Sequence, residues 1–66
     1  MNYYVVKDNN TGLYFRGKGV NRWGQYFNQA SIYRMKKLAE ETAEWENSQR
    51  GADCVVIPIE IIEKGE

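Results

Sequence analysis

The single cysteine, Cys54, constrains this chain more than any other feature. In 66 residues without a histidine, one cysteine leaves no internal disulfide and no Cys/His zinc cluster. Those are the staples on which domains of this size commonly depend. A single small core must therefore carry one domain, or a second copy of the chain must help. The core has to come from large residues. Nine aromatics (Tyr3, Tyr4, Tyr14, Phe15, Trp23, Tyr26, Phe27, Tyr33 and Trp45) are the obvious supply, within a hydrophobic content of 42% that is too high for a disordered tail.

The same absence of histidine excludes Ser-His-Asp and Cys-His nucleophile systems, imidazole metal sites and a histidine pH switch. No catalytic residue, cofactor or metal is expected, and the chain reads as a binding or regulatory module rather than an enzyme. No apolar run approaches the roughly 18 residues of a membrane span. The opening MNYYVVKDNN lacks the basic n-region of a signal peptide. A free thiol suits a reducing cytoplasm.

Residues 2–7 (NYYVVK) are β-branched and aromatic, residues 8–12 (DNNTG) are turn formers, and residues 13–16 (LYFR) read as a return strand. This predicts a hairpin over 2–16. Residues 17–24 (GKGVNRWG) form a basic loop punctuated by glycine, and 25–27 could add a third short strand. A helix is expected over 28–50, with Asn28 as N-cap and Gly51 as stop. Its apolar side would hold Ile32, Met35, Leu38, Ala39, Thr42, Ala43 and Trp45. Its solvated side would hold Lys36, Lys37, Glu40, Glu41, Glu44 and Asn47. Ala30 and Tyr33 fall off that apolar side, and a break near residue 34 would bring them inward. In the β-rich run 54–62, Val55, Ile57, Ile59 and Ile61 alternate with Cys54, Val56, Pro58 and Glu60. Pro58 calls for an edge position or a local gap in pairing, because proline cannot donate to a ladder. The order β-β-(β)-α-β predicts an α+β fold, a mainly antiparallel sheet of three or four strands packed on one helix.

Charge is uneven although it sums to zero. Residues 1–37 carry seven basic side chains and one acidic; residues 38–66 carry two basic and eight acidic. Within the helix this puts cations near the N-terminus and anions toward the C-terminus, against the macrodipole. A helix selected for stability alone would show the reverse, so the order points to another use.

The stretch from Arg16 to Tyr26 interleaves cations, glycines and aromatics. Arg16, Lys18, Arg22, Trp23 and Tyr26, extended by Arg34, are the candidate binding residues. Such a set suits a protein hot spot, or a nucleotide or nucleic acid held by cations and a stacking ring. The glycine spacing matches no P-loop or dinucleotide fingerprint. The alternative is structural, with Trp23 and Tyr26 as core lids. Glu40, Glu41 and Glu44 form a second candidate surface, grouped with Glu46 as an acidic helix. Cys54, in an apolar strand with no base nearby, is expected to be an inert buried thiol.

The aromatic first strand, Thr11-Gly12-Leu13-Tyr14-Phe15, the Trp23 segment, Ala30-Ser31-Ile32-Tyr33 ahead of the helix and Val55-Val56-Ile57-Pro58-Ile59 together resemble small phage and prophage accessory proteins. The resemblance covers nearly the whole chain and rests on short, mostly structural motifs. It implies a bacterial cytoplasm during infection or lysogeny and a bacterial host protein or complex as partner, with counter-defence as one use. It transfers no catalytic residue. A homodimer is a further possibility that the sequence leaves open.

Overall fold

The structure is a computed structural model that describes residues 2–17, 22–63 and 65. Strands β1 (Asn2–Asp8), β2 (Tyr14–Phe15), β3 (Trp23–Gly24) and β4 (Cys54–Glu60) form one antiparallel sheet in the order β3-β2-β1-β4. One helix, α1 (Lys36–Arg50), covers one face. The α+β expectation holds.

Strand β1 is the hub. Along one side it pairs with β4 over its full length, from Asn2↔Glu60 to Asp8↔Cys54. Along the other it meets two partners in turn. The Asp8 N–H donates to the Leu13 carbonyl at 2.9 Å where β2 begins. Farther back, Tyr4 and Tyr33 exchange both backbone hydrogen bonds at 2.8 Å. This bridge explains why α1 starts later than the sequence suggests. Tyr33 is held extended beside β1, so helical geometry begins only at Lys36, behind an extended Met35 (φ −109°, ψ 126°). Asn28 is therefore not its cap. It lies inside a short 3-10 turn, Phe27–Gln29, where a third strand at 25–27 had been expected; that strand is Trp23–Gly24 instead. The predicted break near residue 34 is present, and Gly51 ends α1 in the left-handed region at φ 68°, where glycine is favoured.

Opposed residues of an antiparallel pair share a face. The register therefore puts Tyr4, Val6 and Asp8 with Cys54, Val56 and Pro58 under α1. It puts Tyr3, Val5 and Lys7 with Val55, Ile57 and Ile59 on the far face. The core under α1 consists of Val6, Phe15, Ala39, Ala43 and Cys54, with Tyr4, Trp23, Tyr33, Ala52 and Val56 partly buried around it. Val5 is fully buried on the far face, and Phe15, at 3% exposed, is the one buried aromatic among the described residues. The Phe27 ring meets Tyr14 edge-on at 5.7 Å on that far face, so the segment after β3 folds back there. Gly24 makes this possible: a Cβ at that position would lie 2.7 Å from Gln29 Cβ and 2.9 Å from Arg16 Cδ.

Because Tyr4 and Asp8 spend their backbone groups away from β4, the even-numbered residues of β4 point theirs outward. Pro58 occupies one of these outward positions and costs the ladder nothing. Cys54 occupies another, and there the Asn47 side chain of α1 imitates a neighbouring strand. Its Oδ1 accepts from the Cys54 N–H at 2.6 Å and its Nδ2 donates to the Cys54 carbonyl at 3.2 Å. The edge is thus blunted at both positions against strand addition.

Candidate functional site

Two polar centres fix the geometry around the site. The first is Asp8. Its carboxylate accepts from the backbone N–H groups of Asn10 and Asp53 and from the Thr11 hydroxyl, at 3.0–3.1 Å. Burial alone would raise its pKa. The hydrogen bonds from Asp53, Asn10 and Thr11 outweigh that, and the net direction is downward. One side chain thereby ties the β1–β2 turn to the start of β4.

The second is an ion pair that closes the gap between α1 and β3. Glu46 is 1% exposed, and its Oε2 accepts from Arg22 Nη2. The guanidinium also lies over two rings, 5.9 Å from the Phe15 centroid and 5.7 Å from that of Trp45. Arg50 approaches the same Trp45 ring at 5.6 Å. Glu46 Oε1 and Arg22 Nε are buried without a partner, so the pair is held by one hydrogen bond rather than a bidentate fork. The sequence groups Glu46 with Glu40, Glu41 and Glu44 as an acidic helix, although only the other three fall on its solvated side. Nothing in residue type separates it from Glu44; only its phase on α1, shared with Ala39 and Ala43, could have done so.

That phase overturns the predicted apolar side of the helix. The structure divides it into two stripes roughly 100° apart around the axis. The inner stripe, Ala39, Ala43 and Glu46, is buried. The outer stripe is Leu38, Thr42 and Trp45, preceded by the extended N-cap residue Met35. Of these only Thr42 is half-buried, with its hydroxyl donating to Tyr33 Oη at 3.1 Å. Met35, Leu38 and Trp45 are 58%, 46% and 49% exposed, and Ile32 just ahead of them is 51% exposed. Small residues let the helix axis come close to the sheet, and a close axis pushes larger neighbours to the flank. Beside the outer stripe runs a groove of about 600 Å³. Phe15, Tyr33, Leu38 and Trp45 supply its apolar wall, and Arg22, Glu41 and Glu46 its charges. A smaller cavity of about 290 Å³ lies on the other side of Glu46, toward Asp8 and Gly51.

The candidate loop residues do not form one patch. Arg22 is committed to Glu46. Trp23 is half-buried and meets Phe15 edge-on at 5.5 Å. Arg16 is exposed, with its carbonyl accepting from the Ser31 hydroxyl. Tyr26 is 62% exposed, and Arg34 is exposed ahead of α1. Lys18 lies outside the described residues. On the second surface Glu40, Glu41 and Glu44 are all exposed, and Glu41 also borders the groove. The residues that sequence reasoning missed as surface are Met35 and Leu38; Trp45, at the margin of the predicted apolar side, reads from sequence as core or as a dimer contact, and it is 49% exposed.

Cys54 is buried beneath α1. Burial, with the nearby charges of Asp8, Glu46 and Asp53, pushes its thiol up to about 11. A protonated, enclosed thiol is a poor nucleophile. Among the described residues no three ligating side chains gather into a metal site, and no helix is long and apolar enough to cross a membrane. Compared with family models, with curated proteins and with solved structures, the chain gives no match.

Proposed function

We propose that this protein is a non-enzymatic, phage-type accessory protein that acts by binding a bacterial host protein or complex and modulating or inhibiting it, with counter-defence as one use. The observation that carries the binding part is the outer stripe of α1. Leu38 and Trp45, with Met35 just ahead of them, stand about half exposed beside a groove, in a chain whose core is otherwise small. Exposed apolar surface of this kind marks interaction sites. Tryptophan and arginine, which meet here as Trp45 with Arg22 and Arg50, are enriched at protein hot spots. The phage and host parts rest on the sequence resemblance.

A nucleotide or nucleic-acid reading of residues 16–26 has less support. It needs Arg22 for phosphate and Trp23 for stacking, and both turn inward.

The test is affinity capture from bacterial lysate with wild type and with Leu38→Lys/Trp45→Ala. Both substituted side chains are half exposed, so the variant should fold, as circular dichroism would verify. The reading expects one defined host complex to be enriched by wild type and lost with the variant. Equal recovery with both proteins would remove α1 as the binding surface. Nucleic acid recovered in place of protein would replace the reading altogether.

A further inference from the structure

Trp45 differs from its neighbours on the outer stripe in having holders. A half-exposed indole on a helix can swing between rotamers unless something beyond the helix backbone fixes it. Here two guanidinium groups come to its ring, Arg22 at 5.7 Å and Arg50 at 5.6 Å from the centroid. One cation–π contact at an exposed site favours the held orientation by about two- to five-fold, and two together by about five- to thirty-fold. Leu38 has no ring for a cation to hold.

The holders are themselves fixed. Arg22 enters from just ahead of β3, donates to Oε2 of the buried Glu46 and lies 5.9 Å from the centroid of Phe15, which is also buried. Glu46 follows Trp45 directly in α1, so one turn of helix carries both the ring and the carboxylate that aims a cation at it. Arg50 is the last residue of α1. It stands at i+4 from Glu46, a spacing at which a helical carboxylate and a cation pair. Glu46 is committed to Arg22 instead, and among the described residues Arg50 enters no salt bridge. Its guanidinium goes to the indole.

We propose that Trp45 is a preorganised anchor, and that Arg22 and Arg50 are the positioning residues that hold its indole before any partner arrives. This deepens the reading of α1 as the binding surface and rests on it. Ordering a large side chain during association costs affinity, and a ring already ordered is spared that cost. The buried Arg22–Glu46 pair then has a second use besides closing α1 against β3. Arg22 serves recognition from within the chain, through the ring it holds, rather than by touching a ligand.

The test is nitrogen spin relaxation of the Trp45 indole Nε1–H in the free protein. The Trp23 indole, edge-on to Phe15, is the internal reference and should not change. The Trp45 order parameter should be about 0.8 in wild type, fall below about 0.6 in Arg50→Met and return most of the way in Arg50→Lys. Arg50 is exposed at the end of α1, so these variants leave the core alone. Methionine keeps the length and the packing but drops the charge. An aliphatic packing role would therefore leave Arg50→Met as ordered as wild type and overturn the proposal. Equal loosening in Arg50→Met and Arg50→Lys would take the role from the cation, and a wild-type indole that is already mobile would end the proposal outright. Arg22→Leu/Glu46→Leu should loosen the ring as well; unchanged order there would remove Arg22 as a holder. Recovery of the host complex from lysate should fall about threefold in Arg50→Met. Unchanged recovery with a loosened ring would show that the ordering does not serve binding. Failure of the underlying reading looks different: equal capture by wild type and Leu38→Lys/Trp45→Ala, with the indole still ordered, removes the surface and the anchor with it. Capture that depends on Trp45 although its indole is mobile leaves the surface standing and removes only the anchor.

Discussion

The two stripes of α1 reverse the usual relation between hydrophobicity and burial. The inner one holds two alanines and a glutamate and is sealed; the outer one holds a leucine and a tryptophan, with a methionine just ahead of it, and stands half in water. What decides is shape. The floor beneath the helix is made of Val6, Phe15, Cys54 and Val56. It accepts a close approach, and only short side chains permit one. Glu46 is tolerated there because Arg22, just ahead of β3, meets it. The outer stripe is then left for something other than this chain's own core.

The comparison is most easily broken at the ion pair. Arg22→Leu leaves the Glu46 carboxylate buried without its partner, and should cost about 3 kcal/mol of unfolding free energy in a urea titration. If Glu46 is tolerated only through Arg22, then Arg22→Leu/Glu46→Leu should return close to wild-type stability. A double variant as unstable as the single one would show that the pair does more than neutralise itself.

Next comes packing. Ala39→Leu pushes a larger side chain under the helix and should cost about 2 kcal/mol. Leu38→Ala, one position away on the outer stripe, should cost about 0.5 kcal/mol for a half-exposed side chain. Similar losses in the two thermal melts would mean that the stripes are not different in kind.

Asn47→Ala removes two hydrogen bonds from the outer edge of β4 and should cost about 1 kcal/mol. It should also raise aggregation, read as light scattering over days, because the Cys54 backbone groups become available for pairing. No change in scattering would leave Pro58 as the sufficient guard.

The smallest effect concerns chemistry rather than stability. With its thiol raised to about 11 and covered by the inner stripe, Cys54 should react with a disulfide reagent at pH 8 only as fast as the protein opens. Denaturant should accelerate labelling at least a hundredfold, since an unfolded thiol is partly ionised there. Fast labelling of the native protein would show that the inner stripe is not closed.

The hairpin, the sheet-and-helix architecture, the glycine stop and the edge position of Pro58 were legible because each follows from local residue chemistry. Two things were not. The late start of α1 depends on Tyr33 bridging Tyr4, a partner far away in sequence, and overrides the helical periodicity of residues 28–35. The division of the apolar side depends on how near the helix comes to the sheet, which residue type does not encode. Arg22 looked like a free surface cation for the same reason. Its partner lies 24 positions away, a glutamate that the helical phase leaves off the solvated side without saying what it meets. The loop cations were legible as candidates but not their dispersal, and the exposure of the large side chains of α1 was hidden because their spacing assigns them to the core.

The pairing of β1 with β4 has a temporal side. Residues from opposite ends of the described chain lie opposite each other along the whole ladder, whereas β1 and β2 share a single register pair, Lys7↔Tyr14. A ribosome therefore releases β1 long before the strand that stabilises it, and the early hairpin has little to hold it together. The sheet can close only after β4 emerges. Folding should then be a late, single event, slowed by the distance over which the chain must loop. Until that moment the Tyr3–Val6 segment is exposed to whatever else is in the cell.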